Sequence, residues 1–213
     1  MPQPHFPQRQ SGFTLIEIAI VLVIIGLLLG GILKGQELIN SARVKNLATD
    51  FRNIPMFIYG YQDKFKSLPG DDSAANTHVT GTNATTNGTT GNGVIEGNWY
   101  STTATDESYL FWQHVRLAGL APGPTVVGAG YLPVNALGGQ IGVQSAAPFA
   151  NMNGTYFICS TGIPGEFAKQ LDTQLDDGNT AAGSMRAGTT ATPSVAVATT
   201  LDDSTNYTVC MGI

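Results

Sequence analysis

Apolar and polar positions divide the chain into stretches of different character. From Phe13 to Leu33 every residue is apolar or small except Thr14 and Glu17. The run is 21 residues long, and at ~1.5 Å per residue it spans roughly 31 Å, close to the hydrocarbon thickness of a bilayer. Its Leu, Ile and Val content predicts a helix, since an exposed strand would leave backbone groups unpaired in lipid. Further on, apolar residues fall at Val44, Leu47, Phe51, Ile54, Ile58, Tyr61, Phe65 and Leu68, in steps of three and four. That is a helical stripe, with Lys45, Asp50, Arg52, Asp63 and Lys64 elsewhere around the wheel. A stripe this short, with aromatic members, predicts a helix laid on a sheet rather than a coiled coil. Pro55 predicts a kink between Phe51 and Pro55, and Pro69-Gly70 a stop. The whole reads as one helix from Phe13 to about Lys66, roughly 80 Å long at the standard rise.

The remainder is patterned differently. Between Ser73 and Gly93, 19 of 21 residues are Ser, Ala, Asn, Thr or Gly, which predicts a surface loop with little to bury, continuing through residues 73–105. Thr105 to Ala118 reads as a short helix with Asp106 and Glu107 in its first turn, Trp112 and His114 packed inward and Gly119 as its stop. Phe167, Ala168, Leu171 and Leu175 predict a second helix, ended by Asp176-Asp177-Gly178. Thr155 to Ser160, Ser194 to Thr199 and Asn206 to Cys210 are strand-like. The fold class is therefore α+β: a long N-terminal helix packed on an antiparallel sheet. Its segments are 1–12, 13–33, 34–68 and 69–213.

Charge sharpens this division. Only 12% of the residues are charged, about half the usual share. Between Lys34 and Lys66 there are six basic and three acidic side chains, and from Ser67 onward three basic and eleven acidic. No basic face is left on the folded part for a nucleic acid. No phosphate loop, Cys-x-x-Cys or Gly-x-Ser-x-Gly motif occurs, and His78 and His114 are too far apart in sequence to suggest a metal pair. Neither an enzyme nor a cofactor is expected.

The junction before the apolar run carries the most specific signal. A secretory signal is cut after its apolar stretch, yet Lys34-Gly35-Gln36-Glu37 follows Leu33 without such a site. The polar segment from Met1 to Gly12 lies in front instead, so cutting at Gly12-Phe13 would keep the helix and expose a new amine. Ser11-Gly12-Phe13-Thr14-Leu15-Ile16-Glu17 closely resembles the signal of type IV prepilins and of type II secretion pseudopilins. The detailed match runs over residues 11–68, and the later part matches in general architecture only.

The resemblance implies that a prepilin peptidase cuts after Gly12 and methylates the amine of Phe13. An ionisable group inside an apolar span costs about 2.5–3.5 kcal/mol and needs a partner or a task. Read from the helix alone, Glu17 pairs with an amine or, one turn from the helix start, reaches the headgroups. For Glu17 the family's partner is the amine of a neighbouring subunit. The precursor would be a single-pass inner-membrane protein with a periplasmic head, later a subunit, major or minor, of an extracellular pilus serving adhesion, motility or DNA uptake. Its implied partners are homologous pilin subunits, an inner-membrane assembly platform and an assembly ATPase. Two other readings are a type II secretion pseudopilin and a membrane-anchored periplasmic protein or adhesin that never polymerises. Flanking charge alone argues for the opposite orientation, because Lys34, Arg43 and Lys45 follow the span and only Arg9 precedes it; the motif outweighs it. The proline that many type IVa pilins carry near the position of Lys34 is absent.

Cys159 and Cys210 are the only cysteines. Once exported they would pair, as in the C-terminal disulfide-bounded region common in pilins, which places the exposed contact surface between Ser160 and Val209; two buried thiols are the alternative. The doublets Asp71-Asp72, Asp176-Asp177 and Asp202-Asp203 could offer oxygens to calcium, but Asp beside Gly usually marks a turn. Gly91 to Glu96 does not fit a calcium loop, since Trp99 stands where the bidentate acid belongs. Asn83 and Asn87 open N-linked acceptor triplets, read here as unmodified loop.

Overall fold

The computed structural model describes residues 12–189 and 200–213. The strand expected at Ser194 to Thr199 lies outside the described residues. Helix α1 spans Leu15–Phe65, and the chain divides into two compact units, Met1–Ala42 and Arg43–Ile213. Pro55 lies inside α1 without ending it; its ring lacks the N–H that would bond the Phe51 carbonyl.

In the first unit, the large apolar side chains of α1 from Leu15 to Ile39 are all exposed. In the second, the apolar stripe does what its spacing predicts. Val44, Leu47, Phe51, Ile54, Ile58 and Tyr61 are buried, as is Leu68 after the helix.

The other elements are α2 (Ala75–His78), α3 (Glu107–Leu117), β1 (Ile141–Gln144), β2 (Phe157–Pro164), α4 (Gly165–Leu175), β3 (Met185–Gly188) and β4 (Asn206–Gly212). The strands form one antiparallel sheet in the order β1-β2-β4-β3. Alternation sends its two faces into different clusters. Ile141, Val143, Ile158, Met185, Ala187 and Val209 join the cluster that contains the α1 stripe. Phe157, Cys159 and Cys210 join Trp99, Phe149 and Met152 in another. Both faces are thus covered, so the strands lack polar alternation. In β1, Gly142 lets the backbone pass close to the Trp99 carbonyl, where a Cβ would collide.

The Ser73 to Gly93 segment departs from the expectation of a loop that buries little. Ala75, Val79 and Ala84 are buried, and Ile95 just beyond is wholly enclosed. Few apolar side chains are needed because carboxylates fasten the backbone. Asp71 accepts the N–H groups of Gly91, Asn92 (3.2 Å) and Gly93 (2.7 Å). Asn83 Nδ2 donates to the Ser73 carbonyl at 2.6 Å, so one of the two acceptor triplets has its amide engaged.

Candidate functional site

At the start of α1, three hydrogen bonds build a reciprocal cap. The Thr14 N–H and the Thr14 hydroxyl both donate to Glu17 Oε2 at 2.7 Å, and the Glu17 N–H donates to Thr14 Oγ1 at 3.3 Å. Thr14 is the N-cap and Glu17 the third helical residue, so Thr14-Leu15-Ile16-Glu17 is a capping box. It satisfies backbone donors that an apolar surrounding would leave stranded, and it sets a carboxylate at the positive end of the helix dipole. Just ahead, Gly12 is exposed, with no atom of the described residues within 4 Å of where a Cβ would stand, and Phe13 is 85% exposed. The Gly12-Phe13 peptide lies immediately ahead of the cap.

The helix beyond the cap is long and apolar enough to cross a membrane, and its most apolar stretch is unburied. A helix apolar all round is stable only when lipid or other helices cover it. Among the described residues, nothing lies within 4 Å of the Cβ positions of Gly26, Gly30, Gly31 and Gly35.

In the head, Cys159 and Cys210 are joined by a disulfide between directly opposed residues of β2 and β4, with Cα atoms 4.1 Å apart. The region it bounds is not only a surface. Ile163, Phe167, Ala168, Leu171, Met185, Ala187, Tyr207 and Val209 belong to the main core.

A buried polar belt ties the end of α1 to α2 and α3. Tyr61 donates to Asp72 Oδ2 at 2.8 Å, and His78 Nδ1 meets the same oxygen at 2.7 Å. Burial works against the Asp72 carboxylate, but His78, Tyr61 and the Ala74 N–H together hold it below its ordinary range. The Gly70 N–H donates to His114 Nδ1 at 2.9 Å, which leaves His114 Nε2 to donate to the Thr82 carbonyl at 2.8 Å. His114 is thus a neutral imidazole with its proton on Nε2, and burial lowers its pKa. The Asp71-Asp72 doublet is occupied by these bonds. Asp202 caps the turn at Ser204 and Thr205, and Asp203 pairs with Lys169.

Glu107 is the strained member of this belt. Its Oε2 accepts the Glu96 N–H at 2.8 Å, while Oε1 is buried without a hydrogen-bond partner. Burial, and then the charges of Asp71 and Glu96, push it from 4.5 up to about 7, against the pull of the Glu96 N–H. The folded chain therefore holds a proton that the unfolded chain releases. This contribution to stability is complete below pH 4.5 and is lost as pH rises to about 7. Glu107→Gln keeps an acceptor for Glu96 and cannot ionise. Urea unfolding should show the variant more stable than the parent at pH 8, by about 3 kcal/mol, and equal to it near pH 4.5. The same difference at both pH values would contradict a buried charge here.

With this geometry in place, the comparison with family models is decisive for the N-terminus. Residues 7–33 match the prokaryotic N-terminal methylation motif, the type IV pilin signal. The chain is prepilin-like. The match covers about an eighth of the chain, so it speaks for the junction and the apolar helix, not the head. No curated protein and no solved structure matches the chain. The motif implies processing by a prepilin peptidase and pilin assembly in general terms, and with the apolar helix it supports a membrane-anchored precursor.

Gly12, Phe13 and Glu17 lie within six residues of one another in the sequence, and Cys159 and Cys210 fall in the separate head unit. Thr14 is the residue that reading the motif as an assembly signal passed over. Its signal was present, because Thr followed three places later by Glu ahead of an apolar run is the sequence mark of a capping box.

Proposed function

We propose that this prepilin is a structural subunit of a type IV pilus, cut between Gly12 and Phe13, methylated on Phe13 and drawn from the inner membrane into a helical surface filament. The observation that carries the reading is the methylation motif joined to a capped, uncovered apolar helix. In this proposal the uncovered apolar side chains of Leu15 to Ile39 pack against copies of themselves, and Glu17 meets the amine of an adjacent Phe13. The head, closed by the Cys159–Cys210 bridge, lies in the periplasm before assembly and outside the cell afterwards. No catalytic role is assigned to it.

The test is recovery in sheared filaments. The parent should be found there, and Gly12→Val, which puts a branched side chain at the cut site, should remain in the membrane fraction unprocessed. Recovery of uncut Gly12→Val in filaments would overturn the proposal. Filaments confined to the periplasm would instead point to a pseudopilus.

A further inference from the structure

The turn that Asp71 fastens contains an asparagine set up to react with its own backbone. Asn92 is followed by Gly93, both are exposed, and Gly93 has a φ of +85°. Succinimide formation joins an asparagine's Cγ to the next backbone nitrogen, and a following glycine puts no Cβ in the way. Three groups bear on the atoms involved. Asp71 Oδ2 accepts the Gly93 N–H, on the nitrogen that would attack, at 2.7 Å. The Val94 N–H donates to Asn92 Oδ1 at 2.9 Å, folding the side chain over its own backbone in a ring that includes both Cγ and the Gly93 nitrogen. Asn92 Nδ2, the nitrogen that would leave, donates to Glu96 Oε2 at 3.3 Å, so the amide can point only one way.

Each contact matches a need of the reaction. A backbone amide attacks only as it loses its proton, and a carboxylate within hydrogen-bond reach of that proton is placed as a general base. Asp71 is 2% exposed, and burial raises its pKa against the pull of the Gly91, Asn92 and Gly93 N–H groups, which makes it a stronger base than a solvated carboxylate. Charge develops on Oδ1 as the new bond forms, where the Val94 N–H already points. Asn153-Gly154 is a second exposed Asn-Gly pair without these aids. The atoms nearest the Gly154 Cβ position belong to Gly212, the Ile213 nitrogen and the Phe157 ring, with no side-chain carboxylate among them.

We propose that Asn92-Gly93 is a self-modification site, at which Asp71 acts as the base and Asn92 is converted through a succinimide to an aspartyl or isoaspartyl residue. The Gly93 N–H proton passes to Asp71 as the Gly93 nitrogen bonds to Cγ. The Cγ–Nδ2 bond then breaks, and Nδ2 leaves as ammonia with the proton that Asp71 returns through solvent. One water opens the ring, giving its hydroxyl to a carbonyl carbon and a proton to the Gly93 nitrogen. Addition at Cγ gives the aspartyl product, and addition at the backbone carbonyl gives the isoaspartyl one. Either product sets a new carboxylate beside Asp71 and Glu96. The isoaspartyl form also lengthens the main chain by one carbon, which draws the Gly93 N–H off Asp71. The head would lose this fastening with time after folding. The inference needs only the folded head and is independent of the filament proposal.

The experiment ages the full chain in detergent at neutral pH, folded and, in parallel, unfolded in guanidinium chloride with the disulfide reduced. Heavy-oxygen water is the probe, and peptide mass spectrometry follows the amide-to-acid mass gain at Asn92 and at Asn153. Asn92 should take up one heavy oxygen about threefold or more faster in the folded chain than in the unfolded one, whereas folding should not accelerate Asn153. Asp71→Asn, which retains an acceptor but no base, should slow Asn92 about tenfold or more in the folded chain. Asn92→Ser, which retains an acceptor for the Val94 N–H, should hold its Tm on ageing while that of the parent falls. A folded Asp71→Asn that reacts at the parental rate would overturn the proposal. So would an Asn92 that reacts no faster folded than unfolded, which decides the matter even if Asp71→Asn does not fold.

Discussion

Glu17→Gln should be cut and methylated like the parent yet be depleted from filaments at least tenfold. The capping box gives Glu17 two separable tasks. As a cap it accepts two hydrogen bonds from Thr14, and Gln performs that task at the same helical position. As a charge within an apolar span it needs an opposite charge, which Gln does not. Removing one member of a buried pair leaves the other uncompensated, at a cost of about 2–5 kcal/mol, or more than tenfold in association. Thr14→Val is the complementary variant. It loses the hydroxyl that both donates to and accepts from Glu17, costs about 1 kcal/mol of helix stability, and keeps the charge. It should therefore assemble near the parental level. Comparing sheared and cell-bound fractions for the two variants checks both. Full incorporation of Glu17→Gln with loss of Thr14→Val would mean that Glu17 acts as a cap alone.

The second large effect concerns the disulfide. Cys159 and Cys210 close a loop with a sequence separation of 51 residues, for which the chain-entropy model gives about 4 kcal/mol. That is a large part of the roughly 5–15 kcal/mol typical of a domain. The bridge joins β2 to β4, and β4 is the strand on which β3 pairs. Opening it releases the unfolded loop and also loosens the sheet's far edge. The double variant Cys159→Ala/Cys210→Ala should lower the urea midpoint by the equivalent of about 3–5 kcal/mol, and reducing the parent with dithiothreitol should do the same. An unchanged midpoint after reduction would show that sheet pairing alone holds β4.

What the sequence disclosed follows from which forces leave a periodic trace. The α1 stripe was legible because one apolar face meets one core, and Val44 through Tyr61 are buried at the positions the spacing names. Strands β2 and β4 were legible from their aromatic and β-branched residues. Strands β1 and β3 were not: Ile141-Gly142-Val143-Gln144 is short and interrupted by Gly, and Met185-Arg186-Ala187-Gly188 has no β-branched residue. Both exist because a neighbouring strand offers its edge. The Ser73 to Gly93 segment misled for the opposite reason, since its order comes from Asp71 and Asp72 in front of it rather than from apolar content. Asp172 is buried although it is an acid, because four residues after Ala168 and three before Leu175 it shares their face of α4. The N-terminal junction was the clearest of all, since it is linear in sequence and needs no tertiary contact.

The central claim is that the chain is cut at Gly12-Phe13. Mass spectrometry of the intact protein purified from cell envelopes tests it most directly. The account predicts a first residue of Phe13 carrying one added methyl group, with residues 1–12 gone. A functional, filament-borne protein that still begins at Met1 would contradict it.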